Sequence, residues 1–283
     1  MNVYEIVTDR ILAELEKGKI PWEKPWIGGI DCPIKHTTGE PYSILNQILL
    51  GEPGEYLTLN QCNKEGGKIK KGAKAKLVVF WKMLEKEDEK NKDKKQIIPM
   101  LRYYNVFHIN DCEGIKPKFE REQHPNGATK AQNAENIVSE YSSRTNLEIS
   151  HANQLQAYYM PRKHLVNIPD MDRFKSTEGY YSTFFHELVH STGNKKLLNR
   201  FPDDAKQAAF GSDSYSREEL VAEIGANMLL HSMEMDTDKS NRNSVAYVQS
   251  WLHALKNDKR LIVSAAGHAE KAVKLILNNE AMA

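Results

Sequence analysis

Cysteine is nearly absent from this chain: Cys32, Cys62 and Cys112 are the three among 283 residues, widely spaced and confined to the first half. An odd, scattered set excludes a disulfide framework and a cysteine-rich zinc knuckle, and it points to a reducing compartment. No apolar run approaches the roughly 18 residues that a membrane span needs, and no signal-peptide pattern is present, so the expectation is a cytoplasmic protein with no membrane partner. An excess of one charge is also lacking, with 39 basic and 38 acidic residues giving a net of +1. That balance excludes a strongly acidic mimic of DNA. It hides a mild asymmetry, since 22 basic and 19 acidic residues precede position 131, and 17 basic and 19 acidic residues follow.

Against this background one short motif stands out, His186-Glu-Leu-Val-His190. With 10 His and 25 Glu in the chain, chance supplies only about 0.03 copies of H-E-x-x-H. On a helix, residues four apart share a face at a spacing of roughly 6 Å, so both imidazoles can reach one cation. Glu187 is then placed to take a proton from a metal-bound water. Ser182 or Thr183 is expected to cap the start of this helix, and Gly193 to end it.

A catalytic zinc usually has three protein ligands and an open position. The third is expected from a second helical pattern, Ser216 to Ala226, in which Glu219 and Glu223 stand four apart. Ala222, Gly225 and Ala226 would let the two helices approach closely. Gly225 inside a helix costs about 1 kcal/mol relative to Ala, so close packing is its motive. Glu219 is assigned as ligand, and Glu223 as the carboxylate that accepts a ring N–H from a ligand histidine. A competing reading makes Ser216-x-x-Glu219 a capping box, with Glu218 or Glu223 as ligand.

Upstream, Gln156 to Met160 and His164 to Ile168 read as strands of a hairpin joined by Pro161-Arg-Lys. The second is either an edge strand that would hold an extended peptide by backbone pairing or an ordinary sheet edge. Val245 to Lys256 and Ala265 to Leu277 have helical spacing.

The first half is a different kind of sequence. It opens with an amphipathic helix, Val3 to Leu15, ended by Gly18. Two tryptophans, Trp22 and Trp26, follow in a proline-held stretch. Lys64, Lys68, Lys70, Lys71, Lys74, Lys76 and Lys82 are opposed only by Glu65, and the run leads into Leu77-Val-Val-Phe-Trp81. Lysines that track phosphates, with Trp22, Trp26, Tyr42 and Trp81 as stacking rings, suit a single-stranded nucleic-acid groove. The plainer alternative is a solvated lysine loop and core tryptophans. Residues 85 to 95 carry five acids and five lysines, which predicts a mobile excursion between two strands.

Both halves resemble one family. Tyr180 to Gly193, Leu198-Asn-Arg200 and Tyr215 to Ala226 resemble the C-terminal metallopeptidase domain of ArdC-like antirestriction proteins, which are related to the N-terminal part of some conjugative primases. Pro21-Trp-x-x-Pro-Trp26, Tyr42-x-x-x-Asn46, Gly67-x-x-x-Lys71-Gly72, Val78-Val-Phe-Trp81 and Tyr103-x-Asn-Val-Phe107-His-Ile-Asn110 resemble that family's single-stranded DNA-binding domain, with Ser43 in place of a more usual glycine. The resemblance implies a gluzincin-like site of two His and one Glu, and it adds Asn46 to the DNA-binding set.

The expected architecture is α+β in two domains. Residues 1–125 would form a mixed sheet and helix domain for single-stranded DNA, and residues 126–283 a gluzincin-like zinc metallopeptidase domain. One zinc per chain, a single-stranded DNA partner and a protein substrate such as a restriction enzyme belong to that expectation. A rival reading keeps DNA coating as the whole function and makes the zinc structural. A metal-dependent nuclease is a weaker third, because two His and one Glu suit single-zinc hydrolysis better than two-metal phosphoryl chemistry.

Overall fold

The computed structural model describes residues 2–23, 32–88, 91–119, 130–201, 213–235 and 244–278. The chain divides into two compact units, Met1–Ile11 with Cys32–Arg121, and Leu12–Asp31 with Glu122–Ala283. The first helix, α1 (Val3–Leu15), contributes to both. The architecture is mixed α and β, with sheet and helix in the first unit and a largely helical second unit.

In the first unit the strands β1 (Pro33–Lys35), β2 (Gly54–Leu57), β4 (Lys76–Asp88) and β5 (Asn91–His108) form one sheet in the order β1-β2-β5-β4. The β-branched and aromatic run Leu77 to Trp81 makes β4 a natural strand. It pairs antiparallel with β5, Lys76 opposite Val106 and Trp81 opposite Leu101. In the charged segment expected to be a mobile excursion, residues 85–88 and 91–95 continue the ladder, with Glu85 opposite Ile97 and Glu87 opposite Lys95, while residues 89 and 90 lie outside the described residues.

Two short helices frame the sheet. Helix α2 (Ile44–Leu50) follows Ser43 in ordinary extended backbone and stops at Gly51, whose φ of 71° is left-handed. Helix α3 (Leu59–Lys64) opens with a capping box in which Thr58 and Gln61 satisfy each other's backbone N–H. The small strands β3 (Lys68–Ile69) and β6 (Cys112–Glu113) pair and hold the base of the lysine loop. Cys62 and Cys112 are free thiols in the adjoining apolar cluster, and burial pushes Cys112 up to about 12. A buried polar knot closes the unit: Glu55 meets His36 Nδ1 at 2.5 Å and accepts the backbone N–H of Lys118 and Phe119 at 2.9 Å each. Such a carboxylate is tolerated in an interior because its oxygens are hydrogen-bonded.

The second unit contains α4 (Lys130–Thr145), β7 (Glu148–Ser150), β8 (Tyr158–Met160), β9 (Leu165–Asn167), α5 (Thr177–Ser191), α6 (Asp213–Ser232), α7 (Ser244–Asn257) and α8 (Leu261–Leu277). The hairpin of β8 and β9 forms as expected, but β9 is not an edge. It is the middle strand of the order β7-β9-β8, parallel to β7 and antiparallel to β8. Its backbone groups are spoken for on both sides, so a peptide cannot add to it.

Helix α5 begins nearly two turns earlier than its sequence suggested. Ser176 is the N-cap, its Oγ accepting the Gly179 N–H, while Ser182 is buried mid-helix and Thr183 bonds back to the Gly179 carbonyl. The extra length buries Tyr180 and Tyr181, which with Phe184, Phe185, Leu188 and Val189 anchor the helix almost all round. Gly193 lies just past its end. A Cβ there would meet the Phe201 ring at 2.5 Å, so close packing, more than a left-handed turn, requires glycine.

Candidate metal centre

Helices α5 and α6 pack closely because position 225 has no side chain. A Cβ on Gly225 would stand 2.8 Å from Val189 Cγ2. This approach brings Glu219 of α6 against the two histidines of α5. His186 Nε2 and His190 Nε2 are 3.0 Å apart, and the Glu219 oxygens lie 3.4 Å from each of them. An ion bound tetrahedrally at 2.0–2.1 Å would need ligand atoms roughly 3.3–3.4 Å apart, so the donor set fits one cation. Among the described residues, His186, His190 and Glu219 are the His, Cys, Asp or Glu group that could hold a metal ion.

The carboxylates around this triangle divide the work. Glu218 Oε1 accepts from His190 Nδ1 at 3.2 Å, which leaves Nε2 free to ligate. Glu218 is itself gripped by Arg200, through Nη2 at 2.7 Å and Nε at 3.1 Å. The same guanidinium donates to Thr192 Oγ1 and to the Val189 carbonyl at the end of α5. Glu223 Oε2 stands 3.4 Å from His186 Nδ1. That nitrogen is buried without an aligned hydrogen bond, so the contact is electrostatic as it stands. Glu187 is 8% exposed, next to the first ligand.

Electrostatics suit a cation. Burial disfavours a charged His190, but its hydrogen bonds to the Glu218 and Glu219 carboxylates outweigh it and push the imidazole up to about 10. Burial likewise opposes ionisation of Glu219, yet the two histidines hold its carboxyl well below the usual range. Glu218 is lowered against the same burial by His190 and Arg200.

The capping-box alternative for Glu219 does not survive this geometry. Helix α6 starts at Asp213, so Ser216 is already inside it, and its hydroxyl meets Ser250 Oγ at 2.9 Å. The Glu218–Arg200 pair was missed as an orienting device, although Arg200 belongs to the quoted Leu198-Asn-Arg200 match. An arginine ten residues after a ligand histidine was the available signal.

The residues expected to contact DNA scatter. Trp22 falls in the second unit, 2% exposed, its ring edge-on to Trp251 at 5.2 Å; it has no free face for a base. Asn46 is also taken: its side chain donates to the Val79 carbonyl and accepts the Val79 N–H, both at 2.7 Å, closing the outer edge of β4. Tyr42 is half-buried against Tyr56, and burial pushes its phenol up to about 12. Trp26 lies outside the described residues. Lys68, Lys70, Lys71 and Lys74 are exposed, and Trp81 is 49% exposed.

This arrangement has solved counterparts. The metal-free crystal structure of the antirestriction ArdC protein from plasmid R388 superposes with a TM-score of 0.78 at 34% identity, covering 100% of this chain and 99% of that one. The chain belongs to the ArdC family of antirestriction proteins. The Mn(II)-bound structure of that protein matches with a TM-score of 0.76, also at 34% identity, covering 99% of this chain and 98% of that one. Family models described as the N-terminal domain of anti-restriction factor ArdC and as a zincin-like metallopeptidase match residues 1–107 and 132–268. Two proteins named DNA primase TraC from Escherichia coli are 31% and 29% identical over 97% of this chain. This ArdC-family chain spans only 27% and 20% of their lengths. An uncharacterized protein, y4eC, of Sinorhizobium fredii is 28% identical over 95% of this chain and 90% of its own.

Proposed function

We propose that this ArdC-family chain is a cytoplasmic antirestriction protein of a plasmid or other mobile element, with a zinc peptidase centre and a single-stranded DNA-binding surface. The functional division we assign is DNA binding to residues 1–125 and peptide hydrolysis to 126–283. The observation that carries the peptidase reading is the triangle of His186, His190 and Glu219 with Glu187 beside it. Three ligands leave a coordination position for chemistry, whereas a purely structural zinc is usually closed by four.

Zinc, when bound there, supplies a Lewis acid that lowers the pKa of water and polarises a peptide carbonyl. Glu187 takes the water proton as general base and returns it to the leaving nitrogen. Glu218, held by Arg200, and Glu223 keep the two imidazoles turned toward the ion. Manganese is the metal in the R388 protein's bound structure. Two nitrogen donors and one carboxylate suit zinc, and about one zinc per chain is expected from metal analysis of the purified protein.

The exposed lysines 68, 70, 71 and 74 support DNA binding, and a restriction enzyme is the proposed protein substrate. The deciding experiment is cleavage of casein and of a co-expressed restriction enzyme by wild type and by Glu187→Gln. Cleavage by wild type alone supports the peptidase. Equal inactivity of both, with metal retained, would instead make DNA coating the function and the zinc structural.

A further inference from the structure

The two faces of the β4–β5 ribbon differ in what they present. Pairing sets Phe80 opposite Arg102, Val78 opposite Tyr104 and Lys82 opposite Met100, so these residues alternate with Trp81, Leu101, Val79 and Tyr103 on the other face. The rings confirm the division. Phe80 and Tyr104 stack in parallel, centroids 4.5 Å apart and planes within 9°. Trp81, on the opposite face, meets Tyr4 of α1 edge-on at 6.4 Å.

Tyr104 is 55% exposed although its ring lies flat on Phe80, so its outer side is open to solvent. Arg102 and Lys82 are exposed on that same face. Successive same-face positions on a strand are about 6.5–7 Å apart, which sets Arg102 one such step from Tyr104. The exposed Lys68, Lys70, Lys71 and Lys74 precede this strand in the sequence. A flat ring backed by a second ring and bordered by guanidinium and ammonium groups matches an unpaired base with its phosphates. A protein partner would call for apolar breadth, and an acidic one would not need parallel rings.

We propose that the Phe80–Tyr104 stack is the base-stacking platform of this chain, with Tyr104 as the ring that touches the base and Arg102 and Lys82 on the adjoining phosphates. The proposal rests on the single-stranded DNA reading above and replaces Trp22 and Asn46 as its contacts. It leaves Tyr103, 47% exposed on the other face, as a matched control.

The test is fluorescence anisotropy of a labelled 20-nucleotide oligothymidine with the full chain, at several salt concentrations. Tyr104→Ala should weaken binding roughly 5- to 150-fold, the range of one base stack, while Tyr104→Phe and Tyr103→Ala stay near wild type. Arg102→Gln should weaken binding and flatten the log–log salt slope by about 0.7, one phosphate contact on a single strand. Circular dichroism checks that each variant is folded; Arg102→Gln, on an exposed position, tests the surface even if Tyr104→Ala does not fold. The platform is overturned if wild type binds but Arg102→Gln and Tyr104→Ala bind equally well, or if Tyr103→Ala loses as much as Tyr104→Ala. Failure of wild type to bind at all overturns the DNA reading and the platform with it.

Discussion

Arg200 holds Glu218 through two nitrogens, and Glu218 in turn holds His190 by its Nδ1. The ligand histidine is therefore oriented by a carboxylate that is itself fixed in a fork, with the guanidinium tied to the end of α5. Glu218→Gln should lower metal affinity about 10- to 100-fold, the usual cost of losing an outer partner of a ligand. Competition with a chelator measures it. Arg200→Lys should fall between wild type and Glu218→Gln, because a single ammonium cannot reproduce the two-pronged grip. Unchanged affinity in both variants would remove the orienting role.

The closeness of α5 and α6 gives a second prediction. Gly225→Ala gains about 1 kcal/mol in helix propensity. It also forces a methyl onto Val189 Cγ2 at 2.8 Å, and a β-branched side chain in a helix has little freedom to turn away. Overpacking of this kind costs about 1–3 kcal/mol, so the variant should be destabilised overall and bind metal less well. Adding Val189→Ala makes room for the methyl. Thermal denaturation of the single and double variants should show Val189→Ala costing less in the Gly225→Ala background than in wild type.

Trp22 and Asn46 should behave as structural residues. Trp22→Ala removes a buried ring packed on Trp251 and should cost about 3–5 kcal/mol of stability. Asn46→Ala strands the N–H and carbonyl of Val79 at the sheet edge, a loss of about 1–3 kcal/mol. Chemical denaturation reads both losses. For protein that remains folded, anisotropy with labelled single strands should give the wild-type affinity, and a selective loss of binding at unchanged stability would contradict this assignment.

His231 gives a pH signature in the second unit. Burial lowers its pKa from 6.5 to about 4. The unfolded chain therefore binds this proton more tightly than the folded one. Its contribution makes stability fall as pH drops from about 6.5 toward 4, and it adds nothing above 6.5. His231→Gln should show a smaller decline in melting temperature between pH 7 and pH 4.5 than wild type, in scans at matched ionic strength.

Much of the site was legible because helical spacing is a strong constraint. His186 and His190 had to share a face, and Gly225 among small residues foretold a close neighbour. Glu219 could be named but not separated from a cap, since only the true start of α6 at Asp213 decides that Ser216 is interior. The Glu218–Arg200 link joins residues 18 apart in the sequence, and no periodicity reports such a contact. In the first half, composition pointed to aromatic and basic residues without saying which rings face solvent. Trp22 and Tyr104 look alike in a sequence; burial against Trp251 and exposure on the ribbon distinguish them. The charged 85–95 stretch misled for a related reason, because strand pairing can override a polar composition.

The internal position of β9 has one further consequence. Among the described residues the outer strands of its sheet are β7 and β8, each three residues long, and a three-residue edge pairs with only a residue or two of any added strand. Under the peptidase reading so short a template distinguishes few sequences, so choice of target would fall to tethering. An enzyme and a victim held on the same DNA strand meet at an effective concentration set by the strand between them, and selectivity then lies in the address and not in the cut.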